Sequence, residues 1–368
     1  MAKVKSRLNT NAKVGALLRD LADVQTSQQS KWGYKRAAAA ILSLEEPLES
    51  LVQADGTLRK IPNVGPSSLR VIHEFLQSGH SEIVERAVAG SPRAGAVARS
   101  REWRGNFLSS AQVAEVLGFE PTRGLRLRDY RGDLQMHSKY SDGRVSLAEL
   151  VEGCLARGYS YCAVTDHSYG LPIARGVSMS SLKKQHAEIT RLNRRYHGRF
   201  HMLKGIEANI LADGTLDMTP GELRGLEVIL AAPHSRLRTS DDQTARLLAA
   251  VRTPGVHILA HPRGRKFGSR PGIVADWDRV FTTAATSEVA IEIDGDPSRQ
   301  DVDFELARRA ITAGCLFALD SDAHSVEELR YADVAIAHAR LAGIPKARIV
   351  NCWDLDRLRG WLDKAWSR

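Results

Sequence analysis

Residues 256–264, VHILAHPRG, and residues 316–325, LFALDSDAHS, show the pattern that decides the fold. In each, a short apolar run typical of a buried strand ends on side chains that can bind a metal. The pattern recurs in YCAVTDHS (161–168), FHMLKGIEANI (200–210) and LEVILAAPHS (226–235), and helical patterns such as DVDFELARRAITAG (301–314) separate the runs. This alternation over roughly 235 residues predicts a (β/α) barrel or an open parallel sheet.

The polar side chains at these strand ends form a candidate metal centre. In a (β/α) barrel the carboxyl ends of the strands meet on one face, where catalytic groups collect. One histidine alone at such a place is usually a core or loop residue, but five of the twelve histidines fall at strand ends together. Imidazole and carboxylate ligands suit Zn²⁺, Mn²⁺ and Fe²⁺, and Glu207 is the candidate carboxylate to bridge adjacent cations. The candidate ligands are His137, Asp142, His167, Glu207, His234, His261, Asp322 and His324.

The chain before this region divides into two further parts. Three segments between residues 11 and 88 carry apolar residues at helical spacing, and Pro62 and Gly65 mark a tight turn before the third. Residues 91–130 lack periodicity apart from one short helical segment, LSSAQVAEVLGF. We therefore expect a helical domain over residues 1–90, a linker with one short helix over 91–130, and an α/β domain over 131–368.

Composition limits the setting and the partners. The formal net charge is +9, which favours a polyanionic partner such as nucleic acid, although a solvated basic surface is an alternative explanation. The four cysteines form no C-x-x-C pair, which argues against a zinc ribbon or a disulfide framework and favours a reducing cytoplasm. No apolar run approaches the roughly 20 residues of a membrane helix, so we expect no membrane association. The sequence does not indicate the oligomeric state.

Six segments resemble, in order and spacing, the PHP (polymerase and histidinol phosphatase) domain, particularly the version fused to bacterial family X DNA polymerases. The segments are GDLQMHSKYSDG, VTDHS, KGIEANIL, AAPHS, LAHPRGR and DSDAHS. The resemblance implies a distorted (β/α)7 barrel, preceded here by a small all-α domain, with up to three metals at the carboxyl face of the sheet. It implies a first metal at Gln135, His137, Glu207 and Asp322, a second at Glu207, His234 and His261, and a third at Asp142, His167 and His324.

One position departs from the family pattern. The family usually has histidine where this chain has Gln135, and an amide oxygen is a neutral and weaker ligand. We therefore expect Mn²⁺ to be preferred, with Zn²⁺ or Fe²⁺ as alternatives, and the first metal to bind less tightly.

The reaction expected of such a centre is phosphate ester hydrolysis. Metal-activated hydroxide attacks the phosphate, so no protein nucleophile is needed. Glu207, His234 and His261 would lie at the catalytic centre. Arg263 and Arg270, in the loop after His261, are candidates to hold the phosphate charge, unless that loop is merely a solvated basic segment.

The segment IPNVGPSSLRVIHEFLQSG (61–79) resembles the helix-hairpin-helix of the N-terminal domain of family X polymerases. The resemblance implies that the turn around Val64, Gly65 and Ser67 binds a DNA phosphate without reading bases. Asn63 replaces the first glycine of the usual G-x-G. The stretch after the turn contains no lysine, so we expect no Schiff-base lyase activity, and too few residues separate the two domains for a polymerase core.

A DNA-holding hairpin tethered to a phosphoesterase predicts an enzyme that processes DNA ends, as a 3′-5′ exonuclease or a 3′-phosphatase in repair. Two alternatives remain open at this point. One is a small-molecule phosphatase that acts on histidinol phosphate or a nucleotide, and the other is a DNA-binding scaffold that has lost catalysis.

Overall fold

The computed structural model describes residues 9–121 and 124–367 of the 368-residue chain. These residues form two compact units. The first unit contains the described residues up to 119 together with residues 267–270, and the second contains the rest.

The first unit is helical. Leu18, Ile41 and Ile72 are completely buried in its core, and the side chain of Asn9 caps the first helix by accepting a hydrogen bond from the Ala12 amide. Its α-helices are α1 (Thr10–Val24), α2 (Gln28–Leu42), α3 (Pro66–Ser78), α4 (Glu82–Ala89), α5 (Ala94–Trp103) and α6 (Ser110–Gly118).

The structure differs from the sequence-based expectation over residues 91–130, where two α-helices replace a linker with one short helix. The helix that the sequence did not predict is α5, which buries Val97 as its only apolar residue. Its attachment to α1 is instead ionic, because Arg101 and Arg104 each place a nitrogen 2.6 Å from the buried carboxylate of Asp20. An ion pair leaves no apolar periodicity in the sequence, so the pattern did not reveal this helix.

The second unit alternates strands and helices. Its strands are β1 (Gly132–Asp133), β2 (Tyr161–Val164), β3 (His201–Asn209), β4 (Val228–Ala232), β5 (Ile258–Leu259), β6 (Ala290–Asp294) and β7 (Phe317–Asp320). Its α-helices are α7 (Leu147–Ala156), α8 (Met179–Arg195), α9 (Pro220–Leu223), α10 (Thr244–Val251), α11 (Trp277–Thr286), α12 (Phe304–Ala313), α13 (Ala332–Ala342) and α14 (Leu355–Lys364).

All seven strands are parallel and pair in chain order from β1 to β7. Every residue of β2, β4, β6 and β7 is buried, as expected for strands that are covered by helices outside and fill the barrel inside. The strand order and the connecting helices confirm the predicted (β/α)7 barrel.

The barrel is nearly closed, and it is distorted where β1 meets β7. An isolated bridge joins Met136 to Ala323 at this seam. The side chain of Asn351 donates from Nδ2 to the carbonyl oxygens of Gly132 and Leu319, both at 3.0 Å. A side chain thus replaces part of the hydrogen-bond ladder between the first strand and the last.

Two further observations concern the chain as described. No helix within residues 9–121 and 124–367 is long and apolar enough to cross a bilayer. The four cysteines are free thiols, three of them buried.

Candidate metal centre

The strands place the candidate ligands at one end of the barrel. His234, His261 and Asp322 each come two residues after the last residue of β4, β5 and β7, and His167 comes three residues after β2. Glu207 lies within β3, close to its carboxyl end. Because parallel strands share one direction, these side chains gather at the carboxyl face of the barrel.

Glu207 is the centre of the arrangement, because four imidazoles surround its fully buried carboxylate. Its Oε1 lies 2.7 Å from His261 Nε2 and 3.3 Å from His234 Nε2. Its Oε2 lies 2.8 Å from His167 Nδ1 and 3.5 Å from His137 Nε2. Burial alone would raise the pKa of Glu207, but the charges of His167 and His234 outweigh burial and hold it well below its usual value. Glu207 is therefore an ionised carboxylate that presents both oxygens to histidines.

A second group of side chains adjoins the first. Asp142 Oδ1 lies 3.6 Å from His167 Nε2 and 3.4 Å from His324 Nε2. Burial raises the pKa of Asp142, but the hydrogen bond from His324 and the charge of His167 lower it to about 2. His137 Nε2 lies 2.9 Å from Asp322 Oδ1. Together the two groups bring all eight predicted ligands into one cluster.

The cluster has the local geometry of metal sites at two places. One ligand atom from each of His137, Asp142, His167 and His324 lies within 4.8 Å of the others. The same holds for His167, Glu207 and His234, so His167 is shared between the two groups. Overlapping groups of this kind fit more than one cation.

Buried polar atoms normally have hydrogen-bond partners, so unpaired ones among candidate ligands indicate that the cluster is suited to a cation. Among the described residues, both polar atoms of the Gln135 side chain are buried without such a partner, and the imidazole contacts of Glu207 Oε2 at 2.8 Å and of His234 Nε2 at 3.3 Å lack hydrogen-bond geometry. Gln135 precedes His137 by two residues just after β1, and both side chains are completely buried. Imidazole nitrogens, carboxylate oxygens and this amide oxygen form a donor set that fits divalent transition metals.

Asn209 orients His234, and sequence reasoning missed it. Its Oδ1 lies 2.5 Å from His234 Nδ1, while its Nδ2 donates to Asp217 at 2.5 Å and to Ser168 at 3.2 Å. With Nδ1 engaged in this way, Nε2 of His234 faces Glu207. The signal in the sequence was its place at the end of β3, two residues after Glu207.

The roles predicted for Arg263 and Arg270 in phosphate binding stay predictions. Arg263 Nη1 pairs with Asp303 Oδ2 at 2.9 Å, so an acidic residue at the start of α12 already binds it. Arg270 belongs to the segment 267–270, which groups with the first unit and not with the unit that holds the candidate ligands.

The arginine that does contact a candidate ligand is Arg299, in the loop after β6. Its Nη1 lies 2.7 Å from Asp322 Oδ2 and 3.3 Å from Asp294 Oδ2. Sequence reasoning missed it because four residues separate Arg299 from the end of β6, so no apolar run directly precedes it.

Several buried carboxyls near the cluster are poor candidates for ligands. Burial, above all, raises the pKa of Asp320 to about 6, and it raises those of Asp133 and Glu292 well above their usual values. Glu292 Oε2 instead accepts a hydrogen bond from the His261 amide, and Asp320 Oδ1 accepts one from the Leu134 amide. These groups hold the strand ends in place.

The predicted DNA-binding hairpin lies between residue 61 and the start of α3. Asn63 has a φ of 64°, a left-handed conformation that glycine adopts most readily and that asparagine tolerates. The first glycine of the usual hairpin can therefore be replaced here without loss of the turn. Gly65 caps α3, Ser67 lies in its first turn, and both are exposed, whereas Val64 is half-buried.

Gln135→His should strengthen metal binding, because an imidazole is a better transition-metal ligand than a neutral amide. We expect the dissociation constant for Zn²⁺, measured by competition with a chelator, to fall about tenfold. Gln29→His places a histidine on the exposed start of α2 and serves as the control for an added imidazole. Equal affinity in all three proteins would remove Gln135 from the ligand set.

Asn209→Ala should weaken metal retention, because His234 loses the acceptor that fixes its ring. Loss of such a partner typically costs about 10- to 100-fold in affinity. The matched control is Asn193→Ala, since Asn193 bonds both backbone groups of Met202 at the other end of β3. Metal content after dialysis should fall in the first variant only, and a similar fall in both would mean that β3 itself has been disturbed.

The chain is similar in sequence to several known proteins. The family model of a helix-hairpin-helix domain matches residues 9–81. DNA polymerase/3′-5′ exonuclease PolX of Bacillus subtilis is 34% identical over 241 residues, which cover 65% of this chain and 42% of the relative. This chain thus spans less than half of that relative's length. A probable phosphatase of Enterobacter sp. strain 638 is 29% identical over 234 residues, covering 60% of this chain and 90% of the relative.

A solved structure, the histidinol phosphate phosphatase of Lactococcus lactis, overlaps with a TM-score of 0.44 at 16% identity, covering 56% of this chain and 92% of that one. The sequence relatives, the domain match and the barrel with its strand-end ligands agree with one another. The chain is a homologue of the PHP (polymerase and histidinol phosphatase) proteins, and it carries a helix-hairpin-helix domain ahead of its barrel.

Proposed function

We propose that this protein is a metal-dependent phosphoesterase that processes DNA ends, as a 3′-5′ exonuclease, a 3′-phosphatase, or both. The observation that carries the proposal is the carboxylate of Glu207, which is fully buried and has both oxygens in contact with histidines, four in all. We further propose that Mn²⁺ is the preferred metal, with Zn²⁺ or Fe²⁺ as alternatives, and that up to three ions bind per chain.

Different side chains would have different roles in hydrolysis. Metal ions bound at such a centre lower the pKa of a coordinated water and polarise the phosphate. Glu207 is suited to bridge neighbouring cations, because its two oxygens face different pairs of histidines. Asn209 holds the ring of His234 in the orientation that a ligand needs. Gln135, buried beside His137 in the chain, would complete the first metal site.

Two features support DNA as the substrate. The chain carries a net charge of +9, and its N-terminal unit contains the helix-hairpin-helix match. A nucleic-acid partner suits both, because basic proteins attract the phosphate backbone and the turn of such a hairpin binds one phosphate. The Bacillus subtilis relative, whose name includes a 3′-5′ exonuclease, supports activity at a DNA end.

A phosphomonoesterase that acts on a small molecule is the second candidate. The Enterobacter relative favours it, since this chain covers 90% of a protein named a probable phosphatase. The same metal centre would serve both reactions, so the substrate and not the metal distinguishes them.

Wild-type protein with Mn²⁺ should shorten a 5′-labelled oligonucleotide from its 3′ end or release its 3′-phosphate. His261→Ala removes a predicted ligand and should lower the rate about a hundredfold or more, whereas His197→Ala, at an exposed position, should not. Gel electrophoresis and phosphate release measure the two reactions.

Histidinol phosphate is the comparison substrate in the same assay. Its hydrolysis without any change to the oligonucleotide would favour the phosphomonoesterase over the DNA enzyme. Full activity of His261→Ala would show that the assigned centre is wrong.

Ser67→Glu tests the hairpin. A carboxylate in the first turn stabilises α3 through the helix dipole, so folding is retained, but it repels a DNA phosphate. We expect the affinity for single-stranded DNA to fall about tenfold at low salt, measured by fluorescence anisotropy. Gln29→Glu makes the same change in the first turn of α2 and is the control. Equal affinities in all proteins would exclude this turn from the DNA site.

A further inference from the structure

Arg299, in the loop after β6, has one guanidinium nitrogen bound by carboxylates and another that is accessible. The side chain of Arg299 is 16% exposed. Its Nη1 contacts both Asp322 and Asp294, and its Nε is buried. Among the described residues Nη2 makes no hydrogen bond, and it is not one of the buried side-chain atoms that lack a partner, so it is accessible to solvent. The open part of this guanidinium is therefore Nη2.

The loop that carries Arg299 is fixed before any ligand binds. Arg265, which is 1% exposed, donates from Nε to the carbonyl oxygen of Arg299 at 3.1 Å and from Nη2 to that of Gln300 at 2.6 Å. Asp294 and Asp301 exchange backbone hydrogen bonds of 2.5 and 3.2 Å across the loop. A rigid support of this kind lets an arginine bind an anion without first being ordered.

Arg299 lies within one carboxylate of the proposed metal centre. Asp322 contacts Arg299 through Oδ2 and His137 through Oδ1, the latter at 2.9 Å. Arg299 also lies near enough to Glu207 for the two charges to interact. A phosphate bound at the cluster would thus come close to a permanent positive charge.

We propose that Arg299 is the phosphate-binding cation of this site, with Nη1 anchored by Asp322 and Asp294 and Nη2 donating to a non-bridging phosphate oxygen. The inference rests on the proposed phosphoesterase function, and it replaces the assignment of that role to Arg263. Arginine suits the task because its planar fork can donate to carboxylates with one nitrogen and to phosphate with another.

The test is binding of inorganic phosphate to Mn²⁺-loaded protein, measured by isothermal titration calorimetry together with the metal content. In Arg299→Ala the dissociation constant for phosphate should rise at least about tenfold. Metal content should not fall, because the variant removes a positive charge beside two carboxylates. Millimolar guanidinium should restore part of the phosphate affinity. Arg299→Lys keeps a charge and should lose less, which provides a second variant if the first does not fold.

The control is Arg157→Met, which breaks an ion pair between Arg157, the residue after α7, and Asp333 in the first turn of α13. It should bind phosphate as the wild type does. Unchanged phosphate affinity in Arg299→Ala with metals retained would overturn the proposal. So would loss of metal along with phosphate, because Arg299 would then only support Asp322.

Phosphate binding does not depend on which ester is the substrate. If wild-type protein cleaves no DNA end but binds phosphate through Arg299, the inference stands and the proposed DNA substrate fails. If wild-type protein with its metals binds no phosphate, the inference itself is overturned.

Discussion

The structure of the second unit depends on one costly arrangement, an ionised carboxylate buried at the centre of a barrel. Glu207 has no exposed surface, and an isolated charge in such a place is strongly disfavoured. Four histidines offset the cost, and each must arrive from a different part of the chain. Parallel strands that end at a common face of the barrel bring these histidines together around the carboxylate.

Some residues of the cluster could be predicted from the sequence, and others could not. The eight candidate ligands were predicted because most of them lie at or shortly after the ends of apolar runs, and the structure brings all eight together. Gln135 was recognised as a departure from a family pattern, and its buried, unpaired amide gives that departure a physical meaning. Asn209 and Arg299 were missed, because their roles depend on contacts with His234 and Asp322 that no local spacing reveals.

The same limit applies to the fold. Apolar periodicity predicted the helices of the first unit and a (β/α) barrel or an open parallel sheet in the second, and the resemblance to PHP domains specified a (β/α)7 barrel. The helix α5 was not predicted, since Asp20 holds it through Arg101 and Arg104 and not through an apolar face. The seam closed by Asn351 was equally invisible, because one amide side chain there replaces part of a strand ladder. Periodicity reports burial of apolar surface, and polar contacts between distant segments leave no such trace.

We propose that Glu207 organises a centre for more than one metal. Emission spectroscopy on wild-type protein and on Glu207→Gln, after reconstitution with Mn²⁺ and removal of excess metal, tests it most directly. We expect more than one manganese ion per chain in the wild type and a clear loss in the variant, since a neutral amide of the same shape cannot bridge two cations. Equal metal content in the two proteins would contradict it.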